Sequence, residues 1–328
     1  MAVLVTGGAG YIGSHMVLKL CDAGEDVVVL DNLTTGFDWA VDHRARLLQG
    51  NAGDMEMVVD IVRDLNVTEI VHFAGSIVVP ESVVNPLKYY ANNTATSRNL
   101  IEAAVKGGVK HMVFSSTAAV YGMTGLEPVG EDAELKPMSP YGRSKLMTEM
   151  MLADVAAAHR LTYGALRYFN VAGADPMRRS GQSSPTATHL IKVACQAALG
   201  QRPFMEIFGT DYPTPDGTCV RDYIHVTDLV EAHALLLAYL RSGGASTTLN
   251  CGYGQGYSVR QVVDMVHKVS GVDFSVKEAP RRAGDPPAIV AGADKVRSLL
   301  GWQPAHDDLE EIVASAYAWE QYLRTRNS

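Results

Sequence analysis

Ala2-Val3-Leu4-Val5-Thr6-Gly7-Gly8-Ala9-Gly10-Tyr11-Ile12-Gly13 passes from an unbroken apolar run into a cluster of glycines. Four apolar residues in succession suit a strand buried on both faces. Ile12, Met16, Val17 and Leu20 then recur at helical spacing until Gly24 ends the run, so the segment reads as strand, glycine turn, helix. Gly7, Gly10 and Gly13 are spaced Gly-x-x-Gly-x-x-Gly. Such a turn lets backbone approach a pyrophosphate, which sits against the first amides and the positive end of the helix dipole. A glycine cluster alone is weak evidence, but here a second apolar strand (residues 26–30) ends at Asp31. A carboxylate there can accept hydrogen bonds from both adenosine ribose hydroxyls and repels a 2′-phosphate. With Asn32-Leu33-Thr34-Thr35-Gly36 following and no arginine, NAD is favoured over NADP.

Working outward, strands at 46–49, 69–73, 111–114 and 163–169 alternate with helices at 54–65, 87–106 and 141–159. That alternation predicts an α/β fold with a doubly wound parallel (Rossmann) sheet. The 328 residues suffice for a dinucleotide-binding domain over 1–175 and a smaller α/β domain, mainly for substrate, over 176–328, with some chain crossing back. In the second part, helices are expected at 187–199, after 221–225, at 258–270 and from 307 to about 323, with strands at 205–208 and 274–277. Arg221 and Arg282 are expected on loops, as residues that clamp a diphosphate are, although loop arginines are often simply solvated.

The formal charge of −8 and pI near 5.7 exclude a generalised nucleic-acid binder, which needs clustered Lys and Arg. Cys21, Cys195, Cys219 and Cys251 fit no metal-ligand spacing, so no metal is expected and the thiols are expected to be reduced. No run approaches a membrane span, and Met1 leads directly into a strand without a signal peptide, so the cytoplasm is the expected location.

The chemistry concentrates in Ser139-Pro140-Tyr141-Gly142-Arg143-Ser144-Lys145. Residues four apart share a helix face, so Tyr141 and Lys145 point into one site. A phenol titrates near ~10, and a cation within ~4–6 Å lowers that value, which lets tyrosine act as acid and base near neutrality. Alone, such a pair is usually a snorkelling lysine beside a half-buried ring. Ligands on such sheets bind at the carboxyl ends of strands. Ala74-Gly75-Ser76, Ser115-Ser116-Thr117 and Arg167-Tyr168-Phe169-Asn170 fall there, and Thr117 can offer a hydroxyl opposite Tyr141. The helix over 141–159 is apolar nearly all round, so one side is expected to cover the sheet and the other a second subunit, giving a homodimer.

With these motifs placed, nearly the whole chain resembles the extended short-chain dehydrogenase/reductase family, and within it the epimerases of nucleotide sugars. Residues 6–15, 31–33, 72–75, 114–122, 139–147, 166–170, 207–217, 220–226 and 279–287 carry the likeness. It implies tightly bound NAD and a redox-neutral interconversion of UDP-glucose and UDP-galactose through a 4-keto sugar. Tyr141 would be the base, assisted by Thr117 and Lys145. Gly7, Gly10 and Gly13 would cradle the pyrophosphate and Asp31 the ribose, with Tyr11, Ile12, Asn32, Asn51, Ala52, Phe73, Ala74, Gly75, Asn92, Ser115, Tyr141, Lys145 and Tyr168 also in the cofactor site. The UDP-sugar would meet Thr117, Tyr141, Asn170, His189, Leu190, Phe208, Arg221, Arg282, Asp285 and Ile289. There are departures. Asn51 replaces a common aspartate, Ile77 a lysine, and His189 a position that can be asparagine. Ile289 stands where relatives place a large or a small residue to exclude or admit an N-acetyl group. Epimerases of UDP-N-acetylhexosamine, UDP-glucuronate or a UDP-pentose stay open. So does a non-catalytic NAD sensor, which would be expected to lose Tyr141 or Lys145. A 4,6-dehydratase would want an acidic pair where Ala118-Ala119 follow Thr117.

Overall fold

A computed structural model of the chain describes residues 2–185, 188–282 and 284–326. Its first part runs β1 (Ala2–Thr6), α1 (Tyr11–Asp22), β2 (Asp26–Asp31), β3 (Arg46–Gln49), α2 (Met55–Asp64), β4 (Val67–His72), α3 (Val79–Val84), α4 (Pro86–Tyr89), α5 (Thr96–Gly107), β5 (His111–Ser115), α6 (Pro140–Ala158) and β6 (Thr162–Tyr168). There follow β7 (Asn170–Ala172), α7 (Leu190–Ala198), β8 (Met205–Phe208), β9 (Val220–His225), α8 (Val226–Arg241), β10 (Thr247–Cys251), β11 (Gly256–Ser258), α9 (Val259–Ser270), β12 (Val276–Ala279), β13 (Ala288–Ile289), α10 (Asp294–Leu300) and α11 (Leu309–Arg326).

Seven parallel strands form one sheet in the order β10-β6-β5-β4-β1-β2-β3. Ala2, Val3, Leu4 and Val5 are buried at its centre, as a strand covered on both faces requires. The strand order reverses between β1 and β4, which opens a crevice at their carboxyl ends. The glycine turn lies in that crevice. β10 comes from beyond residue 176 and pairs with β6, and α8 covers β5 and β6. That return shields what would otherwise be an open sheet edge. The remaining strands make a sheet of β11-β9-β13 with β7 on β9, and a parallel pair β12-β8.

Local signals set the helix starts. Asp54 caps α2 by accepting the Met57 amide, and Ser258 and Gln261 form a reciprocal capping box on α9. Ser139 caps α6 through the Gly142 amide at 3.1 Å, with Pro140 in the first turn, so this start is fixed and Tyr141 with it.

Several elements differ from the sequence reading. The helix expected at 87–106 is α4 and α5 joined by a π-helical turn, Tyr90–Ala95. The strand expected at 274–277 is displaced to β12, and α3, α10, β9, β10 and the short strands β7, β11 and β13 were not anticipated. Of the helix expected from 187, Ala187 lies outside the described residues and α7 starts at Leu190. On the loop expected to carry Arg282, Ala283 likewise lies outside them.

Burial holds several histidines neutral. It pulls His15, His189 and His233 down to about 4, and His72 and His225 to about 3, from an ordinary 6.5. Above 6.5 both folded and unfolded chains carry these rings neutral. Below it the unfolded chain takes up protons that the folded chain refuses, so folding is progressively disfavoured. Each ring contributes up to about 1.4 kcal/mol per pH unit across its window. Urea midpoints are therefore expected to fall steeply from pH 6.5 towards 4; a flat profile there would contradict this account of the histidines.

Candidate active site

The glycine turn is built so tightly that side chains are excluded. Gly7 has φ +73°, and a Cβ on it would lie 2.6 Å from the Ala74 nitrogen; one on Gly13 would lie 2.1 Å from the Gly7 carbonyl oxygen. A Cβ on Gly10, the N-cap of α1, meets only the Gly7 oxygen at 3.3 Å. Backbone therefore lines this crevice, with the amide end of α1 facing it, a cradle suited to a pyrophosphate. Asp31, buried at the end of β2, accepts the Ala9 amide at 3.0 Å on one oxygen and the Leu33 amide at 2.8 Å on the other. An ionised carboxylate has about four acceptor positions, so two remain for a ribose. Asn32 and Asn51 are exposed, each turned back onto its own loop, and Ala52 is buried. Phe73 and Ala74 donate their amides to the Thr6 carbonyl, which seats Phe73, Ala74 and Gly75 beside the turn.

On α6, Lys145 reaches the Ser115 carbonyl at 2.9 Å and lies 4.9 Å from the Phe114 ring centroid. Burial pulls its ammonium down to about 8, against the attraction of the Glu149 carboxylate. Tyr141 is buried beside Thr117, with which it hydrogen-bonds. Burial pushes its phenol above the ordinary value, and the Thr117 bond pulls the other way. The expected depression by Lys145 is thus absent in the chain alone. In a dry site desolvation outweighs it, and both groups are driven towards their neutral forms.

Two supports of this site escaped the sequence reading, which had placed only Asn92, Ser115 and Tyr168 of their residues in the cofactor site. The π-turn brings two successive asparagines to one residue. Asn92 donates to the Ser76 hydroxyl at 2.8 Å, while Asn93 accepts the Ser76 amide at 2.7 Å and donates to the Ser76 carbonyl and the Ser144 hydroxyl, both at 3.0 Å. In a regular helix neighbours diverge by about 100°; the widened turn reconciles them. Below α6, Glu149 accepts the Ser116 hydroxyl and pairs with Arg167 at 2.7 Å, and Arg167 donates to the Tyr121 hydroxyl at 3.0 Å. Ser115, on the same turn, bonds Tyr168 through their hydroxyls. A mid-helix glutamate and a mid-strand arginine carry no local pattern, so only the fold reveals them.

A cavity of about 190 Å³ opens between the sheet and α7. It gathers Tyr11, Ile12, Thr117, Tyr141, Tyr168, Asn170, His189 and Leu190 from the expected residues, together with Ile77, Tyr223, Lys192 and Glu320, which were not expected. Phe208, Arg221, Arg282, Asp285 and Ile289 form a second group. Arg221 lies on β9 rather than on a loop, donating to the Val220 and Pro286 carbonyls at 2.9 Å each, with Asp285 at 3.9 Å. Arg282 is on a loop as expected, its guanidinium 3.7 Å from the Phe208 ring centroid. Ile289, buried in β13 at the register position of Arg221, is not among the cavity's lining residues. Alternate residues share a strand face, so Arg221 and Tyr223 place the two groups on one side of β9.

Residues 3–252 match the family described as "NAD dependent epimerase/dehydratase family". A UDP-glucose 4-epimerase of Azospirillum brasilense is 58% identical, the alignment covering 98% of this chain and 92% of that protein. Among solved structures, a UDP-glucose 4-epimerase from Brucella ovis in complex with NAD is 42% identical with TM-score 0.94, covering 97% of each chain. A UDP-Glc/GlcNAc 4-epimerase from Campylobacter jejuni is 46% identical with TM-score 0.86, covering 98% of this chain and 99% of the other.

Proposed function

The chain belongs to the NAD-dependent epimerase/dehydratase family, and from that premise we propose that it is an isomerase interconverting UDP-glucose and UDP-galactose by inversion at sugar C4. The observation that carries this reading is the cavity that joins Tyr141 and Thr117 to Tyr11 and Ile12 of the glycine turn, an acid–base group beside a dinucleotide cradle. That cradle, which a Cβ at Gly7 or Gly13 would fill, together with Asp31, fits NAD. Held there, NAD would supply a reversible hydride acceptor for sugar C4. Tyr141 takes the proton of the 4-hydroxyl and gives it back on the reverse step. Thr117, bonded to that phenol, orients it, and Lys145, four residues further along α6 and held on the Ser115 carbonyl, favours its anionic form once the site carries further positive charge. The 4-keto sugar turns about its link to the nucleotide between the two transfers. A tight nucleotide grip and a loose sugar pocket are required, which fits Arg221, Arg282, Phe208 and Asp285 on the nucleotide side and the cavity on the sugar side. In this division 1–175 carries cofactor and acid–base chemistry, and 176–328 mainly grips the UDP-sugar.

The test is UDP-galactose incubated with purified protein and no added NAD, the anomeric signals followed by NMR. UDP-glucose is expected, without accumulating reduced nicotinamide. Conversion of UDP-glucuronate or UDP-xylose alone would replace the substrate, and silence with every UDP-sugar, NAD added, would favour the sensing role. A second reading, acceptance of N-acetylated sugars, is supported by the burial of Ile289 outside the cavity lining, and UDP-N-acetylgalactosamine in the same assay decides it.

The chain also carries a candidate dimer surface. Val84, Leu87 and Met150 are 82%, 77% and 60% exposed, with Val83 and Met147 alongside, on α3, the packed α4 and the outer face of α6. An apolar patch shared by packed helices suits a two-fold contact with a second copy. A dimer is expected in analytical ultracentrifugation, and Leu87→Glu with Met150→Glu should give monomers. A monomeric wild-type protein would remove the proposal. Among the described residues no helix is long and apolar enough to cross a membrane. The four free, buried cysteines accord with a reducing compartment such as the cytoplasm.

A further inference from the structure

Residues 174–185 lie as a strap against the glycine turn. On one side α1 holds them: the Ser14 and Ser180 hydroxyls are 2.6 Å apart, and Arg179 pairs with Asp22 at 2.8 Å and with Asp175 at 2.7 Å. On the other side α11 approaches, Trp319 donating to the Ser183 hydroxyl at 3.2 Å. A narrow crevice separates Gly181, Gln182, Ser183 and Ser184 from the turn residues Gly10 and Tyr11. Gln182 also lines the main cavity, so the strap forms a wall shared by both spaces.

Lys192 joins these parts. Its side chain is 5% exposed, donates to the Gln182 carbonyl at 2.7 Å and pairs with Glu320 of α11, itself 4% exposed. A buried ion pair is a poor source of stability, because desolvating two charges offsets most of their attraction. The second bond of Lys192, to strap backbone, is what an apolar pair could not supply.

We propose that Lys192 is a positioning residue for cofactor retention: by holding the Gln182 carbonyl and the Glu320 carboxylate together it latches the strap across the glycine turn and makes the departure of NAD slow. The proposal rests on the reading of NAD as a resident cofactor. Breaking the latch leaves the cradle itself intact and loosens the end of the strap at 181–184, while Arg179 and Ser180 stay tied to α1. Retention then weakens, while the acid–base residues on α6 are untouched.

Two variants test it. Lys192→Met with Glu320→Met replaces the pair by apolar side chains and removes the bond to Gln182, without leaving a lone buried charge. Gln182→Gly loosens the strap backbone and leaves the pair in place. For each, the readouts are NAD remaining per chain after exhaustive dialysis and the rate of exchange against isotopically labelled NAD, beside the melting temperature. Wild-type protein should keep its NAD. The double variant should exchange at least about tenfold faster, the factor that losing one charge-assisted hydrogen bond corresponds to, and Gln182→Gly, which keeps the carbonyl that Lys192 bonds but loosens the backbone bearing it, should also exchange faster than wild type. A purely structural role would shift melting and leave the exchange rate, taken well below melting, unchanged. Folded variants exchanging at the wild-type rate overturn the latch alone, and if the double variant does not fold, Gln182→Gly decides by itself. Wild-type protein that emerges without NAD overturns the resident-cofactor reading and the latch with it.

Discussion

Tyr141→Phe should leave a folded protein that binds UDP normally and turns over UDP-galactose about 10²–10⁴-fold more slowly, the usual worth of a positioned acid–base group. The ring contributes packing that phenylalanine retains: Tyr141 meets Tyr89 edge-on with centroids 6.5 Å apart. What disappears is the oxygen that bonds Thr117 and that, in the proposed mechanism, exchanges the proton of the 4-hydroxyl. Because the proposed grip on UDP comes from β9 and the loop bearing Arg282, its affinity should not follow the loss of turnover. Isothermal titration with UDP beside steady-state turnover separates the two. Near-normal turnover would remove Tyr141 from the mechanism, and lost UDP binding would show that the substitution acts on structure.

Glu149→Leu should cost about 3–5 kcal/mol of stability, because it strands the Arg167 guanidinium, only 7% exposed, without its counter-charge. The consequence extends to activity. Glu149 holds the Ser116 hydroxyl, the neighbour of Thr117, and Arg167 reaches on to Tyr121, which donates to Asn250 of β10 at 2.6 Å. One carboxylate therefore ties α6, the turn after β5, β6 and β10 together. Glu149→Leu with Arg167→Met removes both charges and should recover most of the stability, though not the anchor for Ser116. Urea midpoints for the single and double variants test this. Equal losses in both would show that packing around the side chains, and not the stranded charge, sets the cost.

Repeating local signals made the sheet legible. Apolar runs ending in glycine or in Asp31 placed β1 and β2, and the Ser139-Pro140 start fixed the helix that carries Tyr141 and Lys145. The turn glycines were legible for the same reason, since no other residue fits where a Cβ would meet backbone at 2.1 Å. What remained hidden depends on contacts distant in sequence. β10 joins β6 across some eighty residues, Glu149 needs Arg167 and Ser116 to acquire a meaning, and Lys192 needs Glu320. The π-turn was read as ordinary helix because its residues have ordinary helical propensity; its widening answers to Ser76. The electrostatic expectation failed instructively. Spacing alone put a cation beside the phenol, but burial, which spacing does not report, raises Tyr141 and lowers Lys145. That leaves activation of the phenol to charge brought in with the ligands.

The most direct test of the central claim, inversion at C4 by removal and return of the same hydride, is conversion of UDP-galactose in D₂O followed by ¹H NMR of the product. UDP-glucose should form with protium retained at C4, because the hydride never exchanges with solvent and only the Tyr141 proton does. Deuterium at C4 of the product, or inversion with wash-in at a neighbouring carbon, would contradict the account.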